Sequence, residues 1–151
     1  MKRRGLLTLL AGTAALLPWR TAHAAEPSGK AHRLILQVSA NDPIAMNLAL
    51  NNTNAVYEAY KARGEDAVVE IVAYGPGLHM LRNDTSPVKP RLASMKEALP
   101  SLTLSACQNT KRGMEKSEGK EIALVPQARI VPAGVVRIIE LQEQGWSYAR
   151  P

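Results

Sequence analysis

Short apolar runs alternate along the chain with stretches whose apolar residues recur at helical spacing, and nothing else in the sequence restricts the fold as much. Leu34-Ile35-Leu36-Gln37-Val38 is apolar at successive positions and is bounded by Ser39, Ala40 and Asn41. That is the pattern of a strand buried on both faces. Residues 67–74 form a second run, rich in β-branched side chains and ended by Gly75-Pro76-Gly77, a triplet expected to lie outside any regular element. Residues 101–107 give a third run and residues 128–131 a fourth.

Helices are expected between these runs. The first is capped by Asn41 or Asp42, has Pro43 at its first position and is closed by Gly64 after Lys61 and Arg63, with Ile44, Leu48, Val56 and Tyr60 on or near one face. A short helical turn is predicted over 77–82 and a helix over 88–99, where Leu92, Met95 and Leu99 repeat at helical spacing. Residues 110–116 and 133–144 are the remaining helices, Gly145 stopping the last, and residues 119–122 carry no assignment. Strands alternating with helices predict an α/β protein whose sheet is mainly parallel and covered on both faces.

Before this pattern stands a segment of another kind. Lys2-Arg3-Arg4 precedes an apolar stretch over residues 5–17, and Ala22-His23-Ala24 supplies a small-residue site, the layout of a cleavable export signal. Arg3-Arg4-Gly5-Leu6-Leu7 resembles a twin-arginine signal, although ordinary secretory signals also open on basic residues. Cleavage is expected after Ala24, leaving a periplasmic protein. The apolar stretch is too short, and too soon broken by Pro18, Trp19 and Arg20, to predict a stable membrane anchor. The organisation expected is therefore a signal over 1–24, a flexible lead over 25–32 and a single domain over 33–151.

Removing the signal changes the electrostatic reading. The chain of 151 residues has nineteen Lys and Arg against thirteen Asp and Glu, and four of the bases, Lys2, Arg3, Arg4 and Arg20, lie in the signal. Fifteen bases against thirteen acids leave a formal charge of +2. In the remaining chain no basic run exceeds Lys111-Arg112, which argues against a nucleic-acid partner. The single Cys rules out an internal disulfide, and a domain of this length builds its core without one.

That Cys is the main candidate for chemistry. In a parallel α/β sheet ligands gather at the C-terminal ends of strands, where Gly75-Pro76-Gly77 and Cys107-Gln108-Asn109 are expected. A thiol at a strand-to-helix junction lies near unpaired N–H groups and the positive end of the helix dipole, both of which favour the thiolate. Lys111 and Arg112 add to that potential if they face the same way. The competing reading is an inert buried Cys. His79, just past the Gly-Pro-Gly turn, is a base or thiolate partner in one reading and a surface or packing residue in the other.

Gly75 and Gly77 let backbone approach an anion, but the second half of a phosphate-binding fingerprint is missing, and most such triplets are only turns. Asn51, Asn52 and Asn54 lie on the first helix, either reaching a loop across the end of the sheet or facing solvent. Tyr74, Trp146 and Tyr148 are read as core or subunit contacts. One Cys and two retained His supply a tetrahedral metal site poorly, so no metal and no cofactor are expected.

The chain also resembles the DsrE/DsrF-like sulfur-relay family, in its small exported branch. The resemblance rests on Leu50-Asn51-Asn52-Thr53-Asn54, Val72-Ala73-Tyr74-Gly75-Pro76-Gly77, Ser105-Ala106-Cys107-Gln108-Asn109-Thr110, Val131-Pro132-Ala133-Gly134-Val135 and the closing stretch from Leu141 to Pro151. It implies a three-layer α/β/α sandwich with a mainly parallel sheet of about five strands, assembled into homo-oligomers, with a pocket near the Cys. It further implies that Cys107 accepts and passes sulfane sulfur as a persulfide between donor and acceptor proteins. In that reading Gln108, Asn109 and Thr110 stabilise the charge, and Gly75, Gly77, His79 and Asn51 belong to the pocket. A second, resolving Cys is absent, and the better-studied relay members are cytoplasmic. The rival readings are a noncatalytic oligomeric module that binds a small ligand or anion beside a structural Cys107, and a metal binder using Cys107 and His79.

Overall fold

The computed structural model describes residue 29 and residues 31–151. The expected signal and most of the flexible lead lie outside the described residues. The strands are β1 (His32–Val38), β2 (Ala67–Ala73), β3 (Thr103–Cys107), β4 (Ala128–Val131) and β5 (Ser147–Ala149). The α-helices are α1 (Pro43–Lys61), α2 (Lys89–Ala98), α3 (Gln108–Glu118) and α4 (Gly134–Glu143), and a 3-10 helix covers Gly75–Leu81. The strands form one sheet in the order β4-β3-β2-β1-β5, parallel at every pairing.

This order explains the layers. From β1 to β4 each crossover moves one strand in the same direction, and the last, through α4, returns to the far side of β1. Crossovers of a single hand then put the early helices on one face and α4 on the other. The larger core cluster joins Met46, Ala49 and Leu50 of α1 and Leu92 and Met95 of α2 to Leu36, Val69, Ile71 and Leu104, with Met114 of α3 packed against it. The smaller cluster joins Ile138 and Leu141 of α4 to Ile35 and Val72, flanked by Tyr74 and Trp146. The fold is an α/β sandwich.

The face buried by α1 differs from the expected one. Met46, Ala49, Leu50 and Thr53 point into the core, whereas Ile44 is 78 % exposed and Leu48 42 %. Both stripes have helical spacing, but small residues at 49 and 53 let the helix lie close on the sheet. The Thr53 hydroxyl is satisfied by donating to the carbonyl of Ala49 at 2.9 Å. Asp42 is the cap, its carboxylate accepting from the N–H of Ile44 at 2.8 Å. Gly75-Pro76-Gly77 also differs from expectation, since it opens the 3-10 helix. Pro76 fits a first turn, and Gly77 is required because a Cβ there would stand 2.2 Å from the carbonyl oxygen of Val38. The third α-helix begins at Gln108, two residues earlier than periodicity indicated.

Among the described residues no helix is long and apolar enough to cross a membrane.

Candidate functional site

Cys107 is the last residue of β3 and the cap of α3. Side chains alternate along a strand, so Cys107 shares a face with Ser105 and with its register partner Val131 of β4, and this is the face that α4 covers. Its Sγ accepts from the N–H of Thr110 at 3.5 Å. Burial of the thiol, 5 % exposed, pushes its pKa up. The hydroxyl and backbone N–H of Thr110, the N–H of Gly134 and the N–H of Asn109 act the other way and prevail, so the thiol lies below its ordinary value. Three of these four groups belong to the first turn of α3, whose Thr110 N–H makes the hydrogen bond to Sγ, and the fourth opens α4.

The loops around Cys107 brace one another. The N–H of Gly75 donates to Thr110 Oγ1 at 2.9 Å, and the N–H of Asn109 donates to the carbonyl of Pro132 at 3.3 Å. At the start of α4, a Cβ on Gly134 would meet Tyr74 Cβ at 2.9 Å. Only glycine lets α4 come this close to the loop after β2.

Gln108, Asn109 and Thr110 form the first turn of α3 and Gly75 is tied to it, so these expected site residues do lie together. Gly77 is pressed against β1 instead. His79 Nδ1 pairs with Thr85 Oγ1 at 2.7 Å, which makes it a packing residue of its own loop rather than a partner of the thiol. Asn51 is exposed and its Oδ1 accepts from Arg91 of α2, so it joins two helices and does not reach across the sheet's end. Lys111 pairs with Glu115, so its side chain is not directed at the sulfur. Tyr74 and Trp146 pack against the smaller core cluster, whereas Tyr148 is largely exposed and its hydroxyl donates to Gln37 Oε1 at 2.6 Å.

Two residues that the sequence did not single out contribute here. Gly134, distinguished in the sequence only as part of the stretch Val131-Pro132-Ala133-Gly134-Val135, opens α4 beside the thiol. Glu70, in the middle of β2, is buried among Ser105, Arg129 and Arg137. Beside the site, between β4 and α4, lies a cavity of about 200 Å³ bounded by Val131, Pro132, Ala133, Arg129 and Arg137. Among the described residues no group of three or more His, Cys, Asp or Glu is placed to hold a metal ion.

Fold and site together define an all-parallel five-stranded α/β sandwich with one buried thiol at a strand end, capped by the first turn of a helix. No protein-family model and no curated protein matches the chain. Its fold is similar to the solved structure of a protein of unknown function from Methanobacterium thermoautotrophicum, with a TM-score of 0.68 and 26 % sequence identity over 80 % of this chain and 99 % of that one.

Proposed function

We propose that this protein is an exported sulfur carrier that holds sulfane sulfur as a persulfide on Cys107. The observation that carries this reading is the place of Cys107 as the cap of α3, its Sγ accepting from the N–H of Thr110 beside the start of α4, which favours a thiolate at a position otherwise too buried for one. The thiolate attacks the sulfane sulfur of a donor persulfide or of thiosulfate. The new S–S bond forms as the donor's S–S bond breaks, and the donor leaves as its thiol or as sulfite with the electron pair of the broken bond. Transfer to an acceptor thiolate repeats the exchange and returns Cys107 to its starting state. Neither half consumes an external oxidant or reductant.

The resemblance to the DsrE/DsrF-like family supports the same chemistry and a homo-oligomer. So does the apolar surface of Val135, Val136 and Ile139 on the outer side of α4, with Ile130 of the edge strand β4, all about half exposed. The amino-terminal layout supports export to the periplasm.

The burial of the thiol favours a second reading, a binding module in which Cys107 is structural. Intact mass after incubation with polysulfide or thiosulfate separates the two. A reductant-sensitive gain of about 32 Da in the native protein, absent from Cys107→Ser, is expected for the carrier. No gain, together with resistance of the folded protein to alkylation, would leave the binding module.

A further inference from the structure

Glu70 is 1 % exposed in the middle of β2, on the sheet face that α4 covers. A carboxylate there is tolerated only if its charge and lone pairs are met. Arg137 of α4 meets it with a two-pronged fork, Nε to Oε1 and Nη2 to Oε2, both at 2.9 Å. Arg129 of β4 reaches Oε2 at 2.8 Å, and the hydroxyl of Ser105 on β3 donates to Oε1 at 2.7 Å. The remaining charged neighbour is Glu140, 3.8 Å from Arg137 Nη1. One buried carboxylate thus fastens α4 to three adjacent strands.

That fastening lies one helical turn from the site. Arg137 is three residues beyond Gly134, its N–H donating to the carbonyl of Ala133 at 3.0 Å, and α4 buries little else beyond Gly134, Ile138 and Leu141. Apolar contacts of two side chains permit a helix to slide, whereas a forked ion pair sets both its axial position and its rotation. We propose that Glu70, acting through Arg137, is a positioning residue for Cys107: it holds the start of α4, and with it the Pro132 carbonyl that accepts from the N–H of Asn109 at 3.3 Å, against the first turn of α3 whose Thr110 N–H donates to Sγ. This rests on the reading of Cys107 as a reactive thiolate.

Field and position predict opposite signs. Replacing Glu70 by Gln removes a negative charge from the sheet face that Cys107 shares and leaves two guanidinium groups, which by field alone would favour the thiolate. Loss of alignment between the start of α4 and the first turn of α3 disfavours it. Arg137→Lys keeps the charge and loses the fork.

The test is the pH dependence of iodoacetamide alkylation of the reduced protein, followed by intact mass, for native protein, Glu70→Gln and Arg137→Lys, with thermal melts to establish folding. Both variants are expected to shift the alkylation midpoint to higher pH and to slow alkylation at pH 7 about three- to tenfold, with the plateau at high pH unchanged. An unshifted or lowered midpoint in folded Glu70→Gln, or an unshifted one in Arg137→Lys, would overturn the proposal. If Glu70→Gln does not fold, Arg137→Lys decides it. A native protein whose thiol is inert, or titrates at its ordinary value, defeats the sulfur-carrier reading and this proposal with it, an outcome visible before any variant is compared.

Discussion

The N–H of Gly75 donates to the hydroxyl of Thr110 at 2.9 Å, joining the turn after β2 to the first turn of α3. The same hydroxyl helps to lower the pKa of Cys107, so Thr110 couples the architecture of the site to its reactivity.

Thr110→Val keeps the shape and removes that coupling. It is expected to cost about 1 kcal/mol of stability, from the unpaired Gly75 N–H, and to raise the midpoint of Cys107 alkylation. Thr110→Ser should retain both properties. Denaturant melts and the alkylation profile check this pair, and a valine variant with native values in both would remove Thr110 from the site.

Gly134→Ala brings a Cβ to 2.9 Å from Tyr74 Cβ and pushes the start of α4 away from the sulfur. A loss of about 1–3 kcal/mol is expected, with slower alkylation at neutral pH. Adding Tyr74→Gly, which removes the opposing Cβ together with the ring, should recover part of the alkylation rate by vacating the space. A double mutant as slow as Gly134→Ala would mean that the clash with Tyr74 is not what displaces the helix.

Arg82 is buried between Asp84 and Glu118, whose pKa values it holds below their ordinary 3.8 and 4.5, and it ties the 3-10 segment to the end of α3. The hydrogen bonds of Glu70 outweigh its burial and lower its pKa as well. Groups depressed by folding stabilise fully above their unfolded pKa and lose that contribution as pH falls through the folded value. Thermal stability should therefore be flat above about pH 5 and fall steadily below it. Arg82→Met is expected to lower stability at pH 7 by about 2 kcal/mol and to flatten the acid limb. An acid limb of unchanged slope in the variant would place the acid sensitivity elsewhere.

The exposed apolar side of α4 gives the proposed self-association a direct test. Val136→Glu combined with Ile139→Glu should reduce the mass measured by sedimentation toward one chain of 16.4 kDa less any signal removed, while the melting profile stays cooperative. If the native protein already sediments as a monomer, the homo-oligomer falls.

Much of the fold is legible in the sequence because its signals are local. A run such as Leu34 to Val38 is apolar at successive positions because both faces of its strand are covered, and Asp42-Pro43 announces a helix because cap and first-turn chemistry act within three residues. Cys107 at a strand end is legible for the same reason. By contrast, the choice between the stripes Ile44–Leu48 and Met46–Ala49–Leu50–Thr53 depends on how closely α1 lies on the sheet, which its own periodicity does not encode.

What the sequence by itself determined, then, is the succession of strands and helices, the parallel class of the sheet and the junction that holds the thiol. What only the tertiary structure decided is which distant groups meet there. The segment that opens α4 meets the first turn of α3, Pro132 accepting from Asn109, because the last crossover reverses direction and brings α4 over the sheet beside β3, and Glu70 finds Arg137 sixty-seven residues away for the same reason. Such meetings follow from chain topology and from the need to neutralise a buried charge, and both are properties of the assembled molecule rather than of any window along the chain.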